Sequence, residues 1–243
     1  MRGCFMTFIC IIEILEIAKE KDEEPPVIYK KNSKLMSVKL DMTGIRQLCW
    51  FTHWSWCLIG VYFASTLVLP NGHPISVVMW EIAMPNAFLV TIICTFIIWR
   101  GLLEKEGAST EGMKRPRTLI MHNANIAMCA CEMFFASTDI EISHLGLAPL
   151  FGCVYVFFSW ARASRIKPEA GPQYLYDFFD TTLPLKEVLT NYIGVLCVLV
   201  FFYAIVCVIS WILDMPFWDG KYGLEGFLLL SFIFSIMKFT DGV

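Results

Sequence analysis

Charged residues are scarce in this chain, and their scarcity excludes several classes of protein. Only 17% of its 243 residues are Asp, Glu, Lys or Arg, whereas about a quarter is usual for a soluble globular domain. The net charge of -3 is too small to argue for a nucleic-acid partner. Soluble-enzyme motifs are also missing: there is no Gly-x-Ser-x-Gly, no phosphate-binding glycine loop and no His-Glu-x-x-His.

Cysteine is plentiful, but its spacing does not indicate a metal site or a disulfide framework. No Cys-x-x-Cys occurs among the ten cysteines, and most of them lie in long apolar segments. That location favours a packing role for these small, polarizable side chains. We therefore predict no metal ion and no cofactor.

Hydrophobic residues make up 57% of the chain, and its mean hydropathy is +0.60. The hydrophobic residues fall into long blocks. Several blocks are long enough to cross a hydrocarbon core about 30 Å thick. We predict an all-α, polytopic membrane helix bundle with about six transmembrane helices. Pro85 predicts a kink in the second span. The last span is short, so a tilted or re-entrant segment is the alternative to a full crossing there. The six spans are 47–69, 76–99, 118–137, 145–164, 191–213 and 226–239.

The first 46 residues precede this membrane domain, which covers 47–243. Residues 1–18 are too few and, with Glu13 and Glu16, too acidic to span, so we expect an amphipathic interfacial helix. A signal-peptide core is the alternative, although no small-residue cleavage site follows. The polar residues that lead to Arg46 predict an exposed cytoplasmic linker.

Lys and Arg residues occur in alternate connections between the predicted spans. Because cytoplasmic loops carry an excess of these residues, the pattern predicts that both termini are cytoplasmic, in an endomembrane or the plasma membrane. The other connections are neutral or acidic. The basic sets are Lys30, Lys31, Lys34, Lys39 and Arg46; Arg100, Lys105, Lys114, Arg115 and Arg117; and Arg162, Arg165, Lys167 and Lys186.

Polar side chains inside the spans are costly and mark candidate sites. At a rise of about 1.5 Å per residue, Thr52 and His53 lie about 8–9 Å from the cytoplasmic end of the first span, and His122 lies about 6 Å into the third. Glu81 and Glu132 lie about 7–8 Å from the opposite surface. A hydroxyl and an imidazole at one depth are the minimum that nucleophilic acyl transfer requires.

Each of these residues also has a structural interpretation. A Thr in a helix usually bonds to its own backbone, and a His near the interface is commonly a packing residue. Asn123 and Asn125, which flank His122, are expected to orient its ring or to donate to an oxyanion. A small transporter that uses Glu81 and Glu132 is a further alternative, but no internal repeat supports it.

Four short motifs between residues 47 and 213 follow an order and spacing found in known membrane proteins. They are Trp50 to Trp54; Glu81 to Pro85 followed by Leu89 to Thr91; Met121 to Asn125 followed by Glu132; and Tyr176 to Asp180 followed by Pro184. Together they resemble two related groups, the androgen-induced (FAR-17a-like) membrane proteins and the rolling-stone proteins.

This resemblance implies a function. Characterised androgen-induced members are six-span intramembrane hydrolases of fatty acid esters of hydroxy fatty acids, and by position their Thr and His match Thr52 and His122. This chain has Asn125 where that group has a Thr, which is closer to the rolling-stone pattern. We therefore predict a threonine-type lipid-ester hydrolase whose partners are the bilayer and its lipid substrate. The alternative is a non-catalytic, rolling-stone-like protein with a structural or fusion-related role.

Overall fold

The computed structural model describes residues 2–19, 29–36, 43–104, 109–136, 139–166, 171–215 and 222–241, and every regular element in these ranges is helical. The all-α class predicted from the sequence is therefore confirmed for the described chain. The principal helices are α1 (Arg2–Lys19), α2 (Phe51–Val68), α3 (Pro74–Glu104), α4 (Pro116–Ala136), α5 (Leu147–Ile166), α6 (Leu185–Leu213) and α7 (Tyr222–Ile236).

Four segments are long and apolar enough to cross a membrane: Pro74–Glu104, Pro116–Ala136, Ile142–Ile166 and Leu185–Leu213. They correspond to the predicted second, third, fourth and fifth spans. By length and composition, then, this is a multi-pass membrane protein. Trp, His, Ser and Thr residues lower the hydropathy of α2, and α7 has only 15 residues. The count of six membrane spans and the orientation of the termini therefore stay predictions.

Helix boundaries differ in detail from the predicted spans. The segment 47–69 begins with the 3-10 turn Gly44–Cys49 and becomes α-helical only at Phe51. Helix α6 starts at Leu185, earlier than residue 191, because Pro184 stands at its N-cap and the residues after it continue the helix. Residues 20–28 and 37–42 of the predicted linker, and the predicted end of the third span at 137, lie outside the described residues.

Helix α3 is the centre of the bundle. It packs against α2, α4, α5 and α6 and is buried along most of its length, whereas α5 and α6 expose most of theirs.

Helix α3 continues past Pro85 and widens into a π-helix at Ile93–Trp99. Helix α4 contains a similar segment, Ile120–Ala124. Since π segments occur frequently at functional sites, these two wide turns direct attention to the space between α3 and α4.

Helix α1 packs antiparallel to α2 along its whole length. Gly3 lies against Thr66 near the end of α2, Cys10 lies against Gly60 in its middle, and α1 also contacts the 3-10 turn before α2. A Cβ atom on Gly60 would lie only 2.9 Å from Cys10 Cβ, so glycine permits this approach. The helix expected to lie at the interface is thus in contact with a predicted span over its full extent.

The exposed face of α1 is apolar as far as Leu15, beyond which Glu16 and Lys19 form an exposed ion pair, and its buried face carries a carboxylate. Cys10, Glu13 and Ile17 are buried against the bundle. This arrangement is the reverse of a helix that turns its polar side to water. The large exposed side chains are Phe5, Phe8, Ile11, Ile12 and Leu15.

Candidate functional site

A cavity of about 640 Å³ lies among α2, α3, α4, α5, α6 and the loop that precedes α6. Thr52 lines it from α2 and His122 lines it from the π segment of α4. These two side chains are far apart in sequence and on different helices. The structure therefore brings both predicted catalytic residues to one space.

Most of the cavity wall is apolar. Ile97 and Ile98 line the cavity and are also 60% and 45% exposed on the outside of α3. The opening on this side is therefore bordered by apolar side chains rather than by polar ones. The other aliphatic wall residues are Leu89, Val90, Ile93, Val195, Val198 and Leu199.

The imidazole of His122 is oriented by the backbone of its own helix. Its Nδ1 lies 2.7 Å from the carbonyl oxygen of Thr118. Since a carbonyl oxygen only accepts, Nδ1 carries the hydrogen in the neutral ring, and Nε2 keeps a lone pair that can take a proton. His122 thus has the tautomer that a general base requires.

Thr91 of α3 holds the π segment of α4 in place. Its buried hydroxyl lies 2.6 Å from the carbonyl oxygen of His122 and 3.0 Å from Asn125 Oδ1. Asn123 donates through Nδ2 to the carbonyl of Lys238, at 2.7 Å. The two asparagines, predicted to orient the ring or to serve an oxyanion, therefore anchor α4 to α3 and to the segment after α7.

His53 does not share the cavity lining with its neighbour Thr52. Its Nδ1 donates to the carbonyl oxygen of Gln47 in the 3-10 turn, and Arg117 Nη2 donates to Gln47 Oε1 at 3.2 Å. His53 is buried. Through Gln47, the bonds from His53 and from Arg117 join the start of α2 to the start of α4, and His53 thus positions Thr52 indirectly.

Glu81 and Glu132 lie apart from the cavity. The Glu81 carboxylate accepts from the backbone N–H of Glu141 at 3.1 Å and pairs with His144 Nδ1 at 2.8 Å. Glu132 Oε1 accepts a hydrogen bond of 3.0 Å from the hydroxyl of Tyr62. Each carboxylate therefore belongs to its own pair, and the structure does not join the two into one site.

Sequence reasoning gave no role to five polar residues that line the cavity: Tyr155, Tyr176, Asp177, Thr190 and Asn191. The Tyr176 oxygen accepts from the backbone N–H of Phe51 at 3.2 Å. Burial raises the pKa of Tyr176 to about 12, so its phenol stays protonated at neutral pH. Asn191 could have been recognised from the sequence, because it is a polar amide side chain at the predicted start of an apolar span.

Aromatic packing fixes the start of α2 against α5, and the loop before α6 against α6 itself. The rings of Phe51 and Tyr155 meet edge to face with centroids 5.1 Å apart, and Phe179 stacks on Tyr192 at 5.7 Å. Tyr155 also donates to the carbonyl of Cys49 at 2.8 Å. These contacts hold the first turn of α2, and with it Thr52, at the wall of the cavity.

All ten cysteines are free thiols. Among the described residues, no group of three or more His, Cys, Asp or Glu side chains is placed to hold a metal ion.

Comparison of the chain with protein-family models, with curated proteins and with solved structures finds no match. The geometry of the cavity is therefore the basis for the function proposed next.

Proposed function

We propose that the protein is an intramembrane, threonine-type hydrolase of lipid esters. The observation that carries the proposal is that Thr52 and His122 line one apolar cavity. A volume of about 640 Å³ falls within the usual range of ligand pockets. The apolar walls suit an acyl chain, and the exposed Ile97 and Ile98 at the opening suit entry from the bilayer.

In the proposed reaction, Thr52 Oγ attacks the ester carbonyl carbon while His122 Nε2 takes the hydroxyl proton. The ester C–O bond then breaks, and the departing alcohol receives that proton from His122. Water next attacks the acyl-threonine with His122 again as base. The carboxylic acid leaves, and the threonine hydroxyl is restored. The resemblance noted above suggests fatty acid esters of hydroxy fatty acids as substrates.

The direct test replaces each reacting group. Thr52→Ala and His122→Gln are expected to lower hydrolysis of a branched fatty ester by at least roughly 100-fold, without loss of expression or of melting temperature. Thr52→Ser keeps a hydroxyl and should retain measurable activity. A fluorophosphonate probe should label the wild type and not Thr52→Ala.

Matched controls lie outside the cavity. Thr66→Ala removes a hydroxyl of α2 that donates to the carbonyl of Phe63, and His73→Asn replaces a half-buried imidazole with another capping side chain. Both variants should hydrolyse the ester normally. Normal turnover in Thr52→Ala and in His122→Gln would refute the proposal.

A non-catalytic, rolling-stone-like protein is the second candidate. Its supporting observation is that His122 already takes part in two hydrogen bonds, through its ring to Thr118 and through its carbonyl to Thr91. The bond from Thr91 joins α3 to α4, and such interhelical bonds contribute about 0.6–2 kcal/mol in membranes; the bond to Thr118 lies within α4. In this case Thr52→Ala and His122→Gln would lower the melting temperature, and neither the variants nor the wild type would turn over an ester.

For the membrane domain we propose six crossings with the Lys- and Arg-rich connections on the cytoplasmic side. The described ends of α3 and α4 support this orientation, because Arg100 and Arg117 lie at those ends. On this orientation the opening of the cavity near Ile97 and Ile98 lies in the cytoplasmic half of the bilayer.

A further inference from the structure

Asn191 of α6 lines the same cavity as Thr52 and His122. Its amide nitrogen is buried and has no hydrogen-bond partner within the described part of the chain. An amide –NH₂ carries two N–H donors, and a buried donor without an acceptor is costly. Such a group at the wall of a cavity is expected to find its acceptor in a bound molecule.

The polar side chains on either side of Asn191 have partners inside the protein. The hydroxyl of Thr190 donates to the carbonyl of Lys186 at 2.8 Å, and the hydroxyl of Tyr192 donates to the carbonyl of Phe179 at 2.9 Å. Asn191 differs from both in this respect. Its unpaired amide is therefore a local feature of the cavity and not a general property of this turn of α6.

The cavity restricts the chemistry of the missing acceptor. Asp177 places a carboxylate in the lining, and no Lys or Arg occurs among the described residues that form it. A free carboxylate in the ligand would meet a like charge and apolar walls, both of which disfavour it. A neutral carbonyl oxygen has two lone pairs, carries no charge and matches an N–H donor.

We propose that Asn191 donates a hydrogen bond to the carbonyl oxygen of the lipid in the cavity and so positions that carbonyl for Thr52. That the carbonyl belongs to a reacting ester rests on the proposed function. Recognition of the carbonyl itself requires no turnover, so the two ideas can be tested apart.

The test compares two probes that cannot be hydrolysed: a long-chain ketone and the hydrocarbon of the same length. Binding to the full chain in lipid nanodiscs is measured by competition with a fluorescent long-chain alkyl ether, which also cannot be hydrolysed. The wild type should bind the ketone about tenfold more tightly than the hydrocarbon, which corresponds to about 1.4 kcal/mol. Asn191→Leu should bind both probes equally and keep the affinity for the hydrocarbon.

Two further variants guard against a folding defect in Asn191→Leu. Asn191→Asp keeps the shape but removes the –NH₂ donor, so it should also lose the preference for the ketone. Thr190→Val changes a neighbouring residue of the same cavity wall, but its hydroxyl is already bonded to the carbonyl of Lys186, so this variant should keep that preference.

The outcomes separate this inference from the proposed hydrolase activity. Equal binding of ketone and hydrocarbon by the wild type, or an unchanged ketone preference in both Asn191 variants, would overturn the role of Asn191. If no variant hydrolyses an ester but the ketone preference depends on Asn191, then the proposed function fails and carbonyl recognition stands. Thr52→Ala should keep the ketone preference in either case.

Discussion

Single hydroxyl groups hold the candidate site together, and Thr91 is the most informative of them. It is fully buried on α3 and bonds to the backbone of His122 and to the side chain of Asn125 on α4. It therefore fixes the position from which the imidazole enters the cavity. The contact joins the two helices where α4 departs from α-helical geometry.

Thr91→Val keeps the shape of the side chain and removes this hydroxyl. Because the His122 carbonyl loses this donor inside the bundle, while Asn125 Oδ1 still accepts from the N–H of Ile126, we expect a loss of about 1–3 kcal/mol in the free energy of unfolding. Unfolding by SDS in mixed micelles, followed by circular dichroism, measures the loss. Thr66→Val is the control, since the hydroxyl of Thr66 bonds only locally to Phe63. Equal stability of Thr91→Val and Thr66→Val would show that the contact is energetically unimportant.

Gly152 allows Leu199 to approach α5 at the cavity wall. A Cβ atom at position 152 would lie 2.2 Å from Leu199 Cδ1, and both residues line the cavity. In Gly152→Ala we expect Leu199 to rotate into the open space, which lowers lipid affinity while stability changes by less than about 1 kcal/mol. Adding Leu199→Ala should restore the affinity in the same binding assay. A large loss of stability with unchanged affinity would contradict this prediction.

At the scale of helices, the position of α1 along α2 bears on whether α1 crosses the membrane. It has 18 residues, or about 27 Å at 1.5 Å per residue, and it follows α2 from one end to the other. A helix that lies along a membrane span cannot lie flat at the interface. Its apolar exposed face also suits contact with lipid. We therefore expect α1 to cross the bilayer together with α2, as a seventh crossing in addition to the six spans of residues 47–243.

If α1 crosses, the N-terminus lies on the same side as the turn between α2 and α3, and not in the cytoplasm as the sequence predicted. An N-terminal epitope should then be protected from protease in sealed, cytoplasmic-side-out vesicles and digested after permeabilisation. Gly60→Val should reduce this protection, because it separates α1 from α2 at Cys10. Gly101→Val is the control, since no atom lies near a Cβ at that position. Digestion in intact wild-type vesicles would establish the interfacial location instead.

The segment after α7 is attached to α3 and to the connection before α4 through Asp241. Its carboxylate accepts from Trp99 Nε1 and from the hydroxyl of Thr110, each at 3.0 Å, and pairs with Lys114 Nζ at 2.5 Å. The Lys238 ammonium lies 5.6 Å from the centroid of the Trp99 ring. This cluster keeps the segment close to the carbonyl contact of Asn123.

The hydrogen bonds from Lys114 and Trp99 hold the pKa of Asp241 below its ordinary value. A carboxyl whose pKa is lowered on folding stabilises the structure above its ordinary pKa and loses that effect as the pH falls through the lowered value. We expect the protection of residues 237–241 from hydrogen exchange to stay constant between pH 8 and 5. Below about pH 4 this protection should be lost. Asp241→Asn should lack protection already at neutral pH, whereas Glu104→Gln, at an exposed pair with Arg100, should not.

At the scale of the whole molecule, the outer helices expose apolar side chains along most of their length, whereas the central helix exposes them only towards its two ends. In water such a surface would be a liability, but in a bilayer it meets lipid. On α6 the large exposed side chains are Leu185, Leu189, Ile193, Val198, Phe201, Val208, Trp211 and Ile212.

The orientation of the domain can be tested with glycosylation acceptors. An acceptor sequence inserted beside Gly72, in the turn between α2 and α3, should be glycosylated in microsomes, because this turn carries no Lys or Arg. The same insertion beside Gly112, in the basic connection between α3 and α4, should remain unmodified. Both glycines are open to solvent, so steric access does not decide the result. The reverse pattern would invert the proposed orientation.

Much of this architecture was predictable from the sequence because a bilayer restricts the options. Backbone groups in the hydrocarbon core must bond within the chain, so long apolar blocks become helices. Composition and block length therefore predicted the all-α class and four long apolar helices close to their observed bounds. The fixed rise of a helix also predicted that Thr52 and His122 share a depth, since depth depends only on position along the span.

What depth cannot determine is the direction in which a side chain points around its helix. Spans such as α3 and α6 are apolar on all sides, so the sequence carries little periodic signal for their rotation. Only the packing of α3 against its neighbours decided that Thr52 faces the cavity while His53 does not, and that Asn125 bonds to Thr91. The same packing brought Asn191 to the cavity and laid α1 along α2, because contacts between helices depend on their rotation and register rather than on composition.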